Sequence, residues 1–165
     1  MGNIEKRAQT ACFTGHRNLN EADDVIESRV LSVMEDLVQH GYRYFGAGGA
    51  RGFDALASVA VLKMKQRYPQ IHLILVLPFD EQYRKEGNWT RDEIKQYDSL
   101  KKAASKVVIL APGYSSGIYY QRNRHLVDSS SVCIAYLNRT NSGTGYTVNY
   151  ARKNGLRVVN VSESF

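Results

Sequence analysis

Apolar and polar positions follow two rhythms along this chain, and the switches between them outline a repeating strand–helix order. Residues 11–14 (ACFT) form a short apolar run of strand length. Ile26, Val30, Val33 and Leu37 then recur at the i, i+4, i+7, i+11 spacing of one helix face. Asn20 is the candidate cap of that helix and His40-Gly41 its stop. An aromatic-rich strand at 42–45 runs through Gly46, Gly48, Gly49 and Gly52 into a helix predicted from about Asp54 to Tyr68, closed by Pro69.

Residues 71–77 are almost wholly apolar, as a strand covered on both faces requires, and Pro78-Phe79-Asp80 ends them. Residues 81–89 read as a charged loop. Thr90-Arg91-Asp92-Glu93 is a capping box opening a third helix with Ile94, Tyr97, Leu100 and Ala104 inward. A fourth strand at 107–110, a Pro/Gly/Ser loop at 111–117 and a fourth helix through Asp128 follow. Then come a fifth strand at 132–137, a polar loop at 138–144, a fifth helix ending at Asn154-Gly155, and a last strand at 156–161. This order with short connections predicts an α/β, Rossmann-like doubly wound fold: a mostly parallel sheet of about six strands with helices on both faces. One domain over residues 1–165 accounts for the length and the 43% apolar composition. In such folds ligands sit outside the carboxyl ends of the strands. That gathers loops 14–17, 46–54, 78–89 and 138–147 on one edge, with 111–124 beside them.

The remaining composition narrows the setting. No apolar run reaches the roughly 18 residues of a membrane span, and the start MGNIEKRAQ has no apolar core of a signal peptide. Lys6 stands where a myristoylation signal following Met1-Gly2 needs Ser or Thr. A cytoplasmic location is expected. Cys12 and Cys133 each lie inside apolar runs and are expected to be buried, reduced thiols; no Cys/His spacing suggests a metal. The net charge of +6 and pI near 9.3 favour an anionic partner, a small phosphate compound or nucleic acid.

The candidate chemistry starts at the glycine cluster. A strand, a glycine-rich turn and a helix start leave backbone N–H groups unpaired at the positive end of a helix dipole, which is an anion site. G-x-G-x-x-G does not fit, because Arg51 and Ala47 stand where glycine is needed, and no Gly-Lys-Ser/Thr follows as in a Walker loop. NAD in the dinucleotide manner and ATP on a Walker loop are thereby disfavoured.

CFTGHR (12–17), GGARGFDALA (48–57), YQRNRHLVDSSS (120–131) and SGTGYTVNYA (142–151) together resemble the SLOG superfamily of Smf/DprA and LOG proteins, and most of all its YpsA-like branch. The resemblance spans about residues 9–160. It implies a Rossmann-like domain binding nucleotides or nucleotide-derived ligands at these loops. Carried over by position, Gly48, Gly49 and Gly52 form one phosphate turn, and Gly143, Thr144 and Thr147 a second. Arg122 matches the arginine of the LOG phosphoribohydrolases, with Asn123 in place of their lysine. Their glutamate has no counterpart: Thr147 or Tyr150 takes its place, and no Asp or Glu occurs between Asp128 and Glu163. A glycosidic cleavage passing through a cationic sugar needs such a carboxylate.

Thr14, Gly15, His16 and Arg17 follow the first strand, where a guanidinium grips phosphate at two points and a histidine can bond it. Arg51 is a ligand contact or an exposed turn residue. Asp54 is a helix-dipole partner or an acceptor for a ribose hydroxyl, and Pro78 adjoins the edge. Tyr119 and Tyr120 either pack or stack on a base, and Trp89 either closes as a lid or anchors its own loop. Three readings follow. The first is a domain that binds a nucleotide-derived small molecule as sensor, carrier or sequestering protein, without a cofactor. The second is a hydrolase of an N-glycosidic bond, with Arg122 as stabiliser and an acid from Asp54, Asp80 or Glu81. The third is a DprA-like binder of single-stranded nucleic acid. Association into homo-oligomers is compatible with each.

Overall fold

A computed structural model describes residues 3–162; the Met1-Gly2 pair weighed above as an acylation signal lies outside the described residues. A short helix α1 (Asn3–Ala8), absent from the sequence-based outline, leads into β1 (Thr10–Gly15). The chain continues as α2 (Asp23–Gln39), β2 (Tyr44–Ala47), α3 (Phe53–Arg67), β3 (His72–Leu77), α4 (Gln82–Glu86) and α5 (Arg91–Ala103). β4 (Lys106–Ile109), α6 (Ile118–Asp128), β5 (Val132–Tyr136), α7 (Gly143–Lys153) and β6 (Arg157–Asn160) complete it. All adjacent strands pair in parallel in the order β4-β3-β2-β1-β5-β6. The fold is thus the Rossmann-like α/β expected. Its strand order reverses between β1 and β5, the place where connections leave in opposite directions and open a crevice.

Alternation along the strands sorts the side chains to two faces. Ala11, Phe13, Phe45, Leu73, Leu75 and Ile134 pack with α2, α3 and α5, whereas Cys12, Val76 and Cys133 pack with Leu126, Val127 and Ala151 of α6 and α7. Cys12 and Cys133 are register partners across β1 and β5, free and buried. α3 lies between α2 and α5, with Phe53, Ala57, Ala60, Val61 and Met64 buried. Among the described residues no helix is long and apolar enough to cross a membrane.

Four local expectations need correction. Asn20 does not cap α2. The N-cap is Ala22, and the Asn20 amide oxygen is taken by the Tyr136 hydroxyl and by Asn138 Nδ2 (2.8 Å). The buried stripe of α2 passes through Met34, with Val33 only half-buried beside it. The charged stretch 81–89 contains α4, which begins after Glu81 in a left-handed conformation (φ 54°) and has Gln82 fully buried. Five residues are too few for a periodic signal. β2 starts two residues later than predicted, which places Gly46 inside the strand rather than in the turn.

Candidate functional site

At the end of β1 the chain turns inward. The His16 carbonyl accepts the Phe53 N–H (3.1 Å) at the start of α3, and the His16 ring is buried. Its Nε2 accepts the Asn138 N–H (3.1 Å) just past β5, a bond that assigns the proton to Nδ1. Burial, and secondarily the charge of Arg139, lowers the His16 pKa, so the ring stays neutral. His16 therefore ties together the two strand ends that flank the crevice. Below it Phe53 stacks on Tyr136 (5.8 Å, 28°) and meets Phe13 edge-on (6.2 Å, 70°). Such pairs contribute about 0.5–1.5 kcal/mol each beyond their burial.

The first glycine loop is partly closed by its own contacts. Its Phe53 N–H is spent on His16, and its Ala50 N–H donates to Asp54 Oδ2 (3.3 Å). Asp54 is 7% exposed; burial raises its pKa, while Arg122, the Ala50 N–H and Arg17 pull it back. The loop thus closes on an internal carboxylate. Its glycines serve close packing. A Cβ on Gly48 would stand 2.7 Å from Arg122 Nη1, and one on Gly52 (φ 80°) would stand 2.3 Å from the Arg17 carbonyl oxygen. Arg122, too polar for a core face on sequence grounds, is 5% exposed. Its Nη1 donates to the Gly48 carbonyl, its Nε to Asn123 Oδ1 (2.7 Å), and its guanidinium lies over the Tyr119 ring at 5.7 Å. The slot left by Gly48 is what admits it.

The second loop is open. Ser142, unmarked in the sequence reading, caps α7 by accepting the Gly145 N–H (3.0 Å). Among the described residues the N–H groups of Gly143 and Thr144 have no acceptor, as a first helical turn leaves them. There is no acidic residue in that turn. Thr147 is buried, and its hydroxyl donates back to the Gly143 carbonyl (3.0 Å).

Between the loops lies a cleft of about 420 Å³ at the β1/β5 switch point. It brings together Thr14, Gly15, His16, Arg17, Asp54, Arg122, Asn123, Gly143 and Thr144 from the sequence-predicted set. Gly48 lies behind Arg122. Gly49, Arg51 and Gly52 line a separate groove of about 670 Å³ over α3, where Arg51 donates to the Asn88 carbonyl (3.0 Å) and pairs with Glu93 (3.8 Å). Pro78 is buried at the end of β3, and neither it nor Thr147 reaches the cleft. Arg139, Ser142 and Tyr120 also line it. The Ser-Gly-Thr-Gly run contained the N-cap signal for Ser142; Arg139, in an irregular loop, carries no spacing signal.

Two observations describe the polarity of the cleft. Thr14 and Thr144 are 8% and 7% exposed, and their hydroxyls have no hydrogen-bond partner among the described residues. Among the same residues, Asp54 is the one carboxylate on a lining that carries Arg17, Arg122 and Arg139. Arg17 is held at the rim by Glu86 (3.5 Å), which also accepts from Tyr119 (3.0 Å) and Trp89 Nε1 (3.1 Å). Burial, then Glu86, pushes the Tyr119 pKa up to about 12. Trp89 packs on Tyr83 and Tyr97, both at 5.8 Å, and anchors its own loop. Asp80 is engaged by Lys101 (2.6 Å) and Glu81 by Arg84, both away from the cleft.

The family model YpsA, described as the YspA SLOG family, matches residues 12–158. The SPbeta prophage-derived protein YoqJ of Bacillus subtilis is 28% identical over 144 residues, covering 79% of this chain and 82% of that protein. A UPF0398 protein of Halalkalibacterium halodurans is 26% identical over 141 residues, covering 84% of this chain and 71% of its own length. Among solved structures, DNA processing protein A of Helicobacter pylori, described with a single-stranded DNA binding mode, superposes with a TM-score of 0.64 at 17% identity. The match covers 94% of this chain and 66% of that one. DprA of Streptococcus pneumoniae gives 0.64 at 16% identity, with 92% and 49% covered. The likeness to these two structures is one of fold, and this chain spans about half to two thirds of their length.

Proposed function

Since the chain belongs to the YspA SLOG family, we propose that it binds a nucleotide-derived ligand by its phosphate in the switch-point cleft, as a sensor, carrier or sequestering domain. The observation that carries this reading is the pair of unpartnered hydroxyls, Thr14 and Thr144, on otherwise buried residues facing one cleft. A phosphate seated there takes hydrogen bonds from both hydroxyls and from the Gly143 and Thr144 N–H groups. It lies on the positive end of α7, with Arg139 and Arg17 supplying counter-charge. A cleft of about 420 Å³ is in the range of a small-molecule site.

Binding is favoured over cleavage by the disposition of the carboxylates. Asp54 lies under Arg122, fixed by the Ala50 N–H, and the place of the LOG glutamate is occupied by Thr147 or Tyr150. Neither can stabilise a cationic sugar.

Isothermal titration of the intact protein with AMP, ADP-ribose, NAD and cyclic AMP tests the reading. At least one Kd below about 100 μM is expected, near −5.5 kcal/mol. Arg139→Ala should weaken that ligand at least tenfold, about 1.4 kcal/mol. No binding across the panel withdraws the proposal. Oligonucleotide binding that is steeply salt-dependent and indifferent to AMP replaces it with a nucleic-acid site.

A further inference from the structure

Next to the phosphate end of the cleft stand two exposed tyrosines on neighbouring helices. Tyr120 of α6 lines the cleft with Asn123, Arg139 and Gly143 and is 45% exposed; Tyr146 of α7 is 39% exposed. Their ring centroids are 4.7 Å apart with planes at 72°, an edge-to-face contact in which each ring limits the other's rotation. Tyr146 is itself held from behind. Its hydroxyl accepts from Arg124 Nη1 (3.0 Å), and its ring stacks on Tyr150 (6.5 Å, 13°), whose hydroxyl donates to Asp128 (2.8 Å). The Tyr120 ring is therefore braced, half in water, at the mouth of a polar site.

The adjacent Tyr119, equally eligible from sequence, is already engaged. Its ring carries the Arg122 guanidinium, meets Phe79 edge-on at 6.0 Å, and its hydroxyl is spent on Glu86. A ring set in place before binding has little rotamer freedom left to lose when a flat partner arrives.

We infer that Tyr120, braced by Tyr146, is the platform on which the ligand's base stacks, so that the site selects nucleoside 5′-phosphates over sugar phosphates. This rests on the phosphate placement argued above. Tyr146 is three residues beyond Gly143, a rise of roughly 4.5 Å along the helix. The tyrosine pair thus stands about one helical turn from the first-turn N–H groups, and Tyr120 lines the same cleft as Gly143 and Thr144. The cleft arginines take the phosphate, the ribose bridges, and the base leaves the cleft onto the ring.

The test compares AMP with ribose 5-phosphate by titration calorimetry on the intact protein and on Tyr120→Ala and Tyr120→Phe. Wild type should bind AMP at least tenfold tighter than ribose 5-phosphate. Tyr120→Ala should lose roughly tenfold in AMP affinity, the scale of one base–aromatic stack. Its ribose 5-phosphate affinity should stay unchanged, which also shows that the variant is folded. Tyr120→Phe should retain the wild-type preference, since stacking needs the ring and not the hydroxyl. Equal affinity of wild type for the two probes, or equal losses for both in Tyr120→Ala, overturns the platform while leaving the phosphate site standing. Binding of neither probe removes the phosphate site and the platform with it.

Discussion

Two buried charged side chains beneath the cleft, Asp54 and Arg122, make a demanding prediction about stability. Asp54 and Arg122 are 7% and 5% exposed, and the Arg122 charge is the largest influence opposing the burial that raises the Asp54 pKa. Arg122→Met keeps an unbranched stem of similar reach and deletes the charge. It leaves the carboxylate with the long Ala50 N–H bond (3.3 Å), the more peripheral Arg17 and the Gly48 N–H, and it orphans the Gly48 carbonyl. Arg122 acts on Asp54 through space, with no ion pair between them, and leaving the buried Gly48 carbonyl without its donor costs about 1–3 kcal/mol. The pH dependence identifies the cause. An acid whose folded pKa lies above its unfolded value contributes stability at low pH, where both states are protonated. That contribution is lost as pH rises from the ordinary carboxylate value, about 3.9, through the folded pKa. Deleting Arg122 raises the folded pKa further, and each added unit costs about 1.4 kcal/mol above it. The deficit of Arg122→Met should therefore be smaller near pH 4, where the orphaned Gly48 carbonyl alone contributes, and full by pH 8. Urea unfolding followed by the fluorescence of the sole tryptophan, Trp89, and by circular dichroism measures it. Asp54→Asn combined with Arg122→Met should abolish the pH-dependent part. A deficit equal at pH 4.5 and 8, or a double variant as unstable as the single one at pH 8, would refute the coupling.

Two further outcomes concern the rim. Glu86→Gln keeps an acceptor for Tyr119 but releases Arg17 from its 3.5 Å ion pair, so AMP should bind roughly two- to fivefold tighter by calorimetry; unchanged or weaker binding contradicts a competing role for Glu86. His16→Gln retains an acceptor for the Asn138 N–H. Because burial lowers the His16 pKa, its contribution is present above the ordinary histidine value, about 6.5, and is lost as pH falls through the folded pKa. The wild-type melting temperature should fall more steeply than that of the variant between pH 6.5 and 5, and parallel slopes would show that His16 is not the titrating group.

What was legible in the sequence was what is local. The strand–helix order, the apolar β3 and the Thr90–Glu93 capping box, with both of its hydrogen bonds formed (2.8 and 3.1 Å), depend on residues within a few positions of one another. What was not legible depends on distant partners. Asn20 looks like a cap until Tyr136 and Asn138 claim its amide from across the switch point. The segment Gln82–Glu86 gains helical shape from tertiary contacts, with Gln82 buried and Glu86 bonded to Tyr119 and Trp89. RNRH reads as a solvated run, yet Arg122 goes inside because a glycine 74 residues earlier leaves the slot. The motif residues of the cleft were named from sequence. Their division between the cleft and the groove over α3 needed the third dimension, since both sets come from one loop.

That division gives the two glycine loops different work. Each precedes a helix whose N-terminus is positive, and each was a candidate phosphate turn. At α3 the protein supplies its own anion: Asp54 takes the Ala50 N–H, His16 takes the Phe53 N–H, and Arg122 balances the carboxylate from behind. Gly48 and Gly52 let the Arg122 guanidinium and the Arg17 carbonyl approach there. At α7 no carboxylate answers the helix; Ser142 satisfies one N–H, and two others open beside Arg139. An incoming anion meets a helix start that already carries Asp54 on one side of the crevice and one with no acidic residue in its first turn on the other. The field therefore directs it to α7, and in the proposed site the first loop acts as the wall that holds Arg122 and Asn123 against it. On the proposed reading, the carboxylate absent from α7 both leaves room for a phosphate and withholds the group that a glycosidic cleavage there would need.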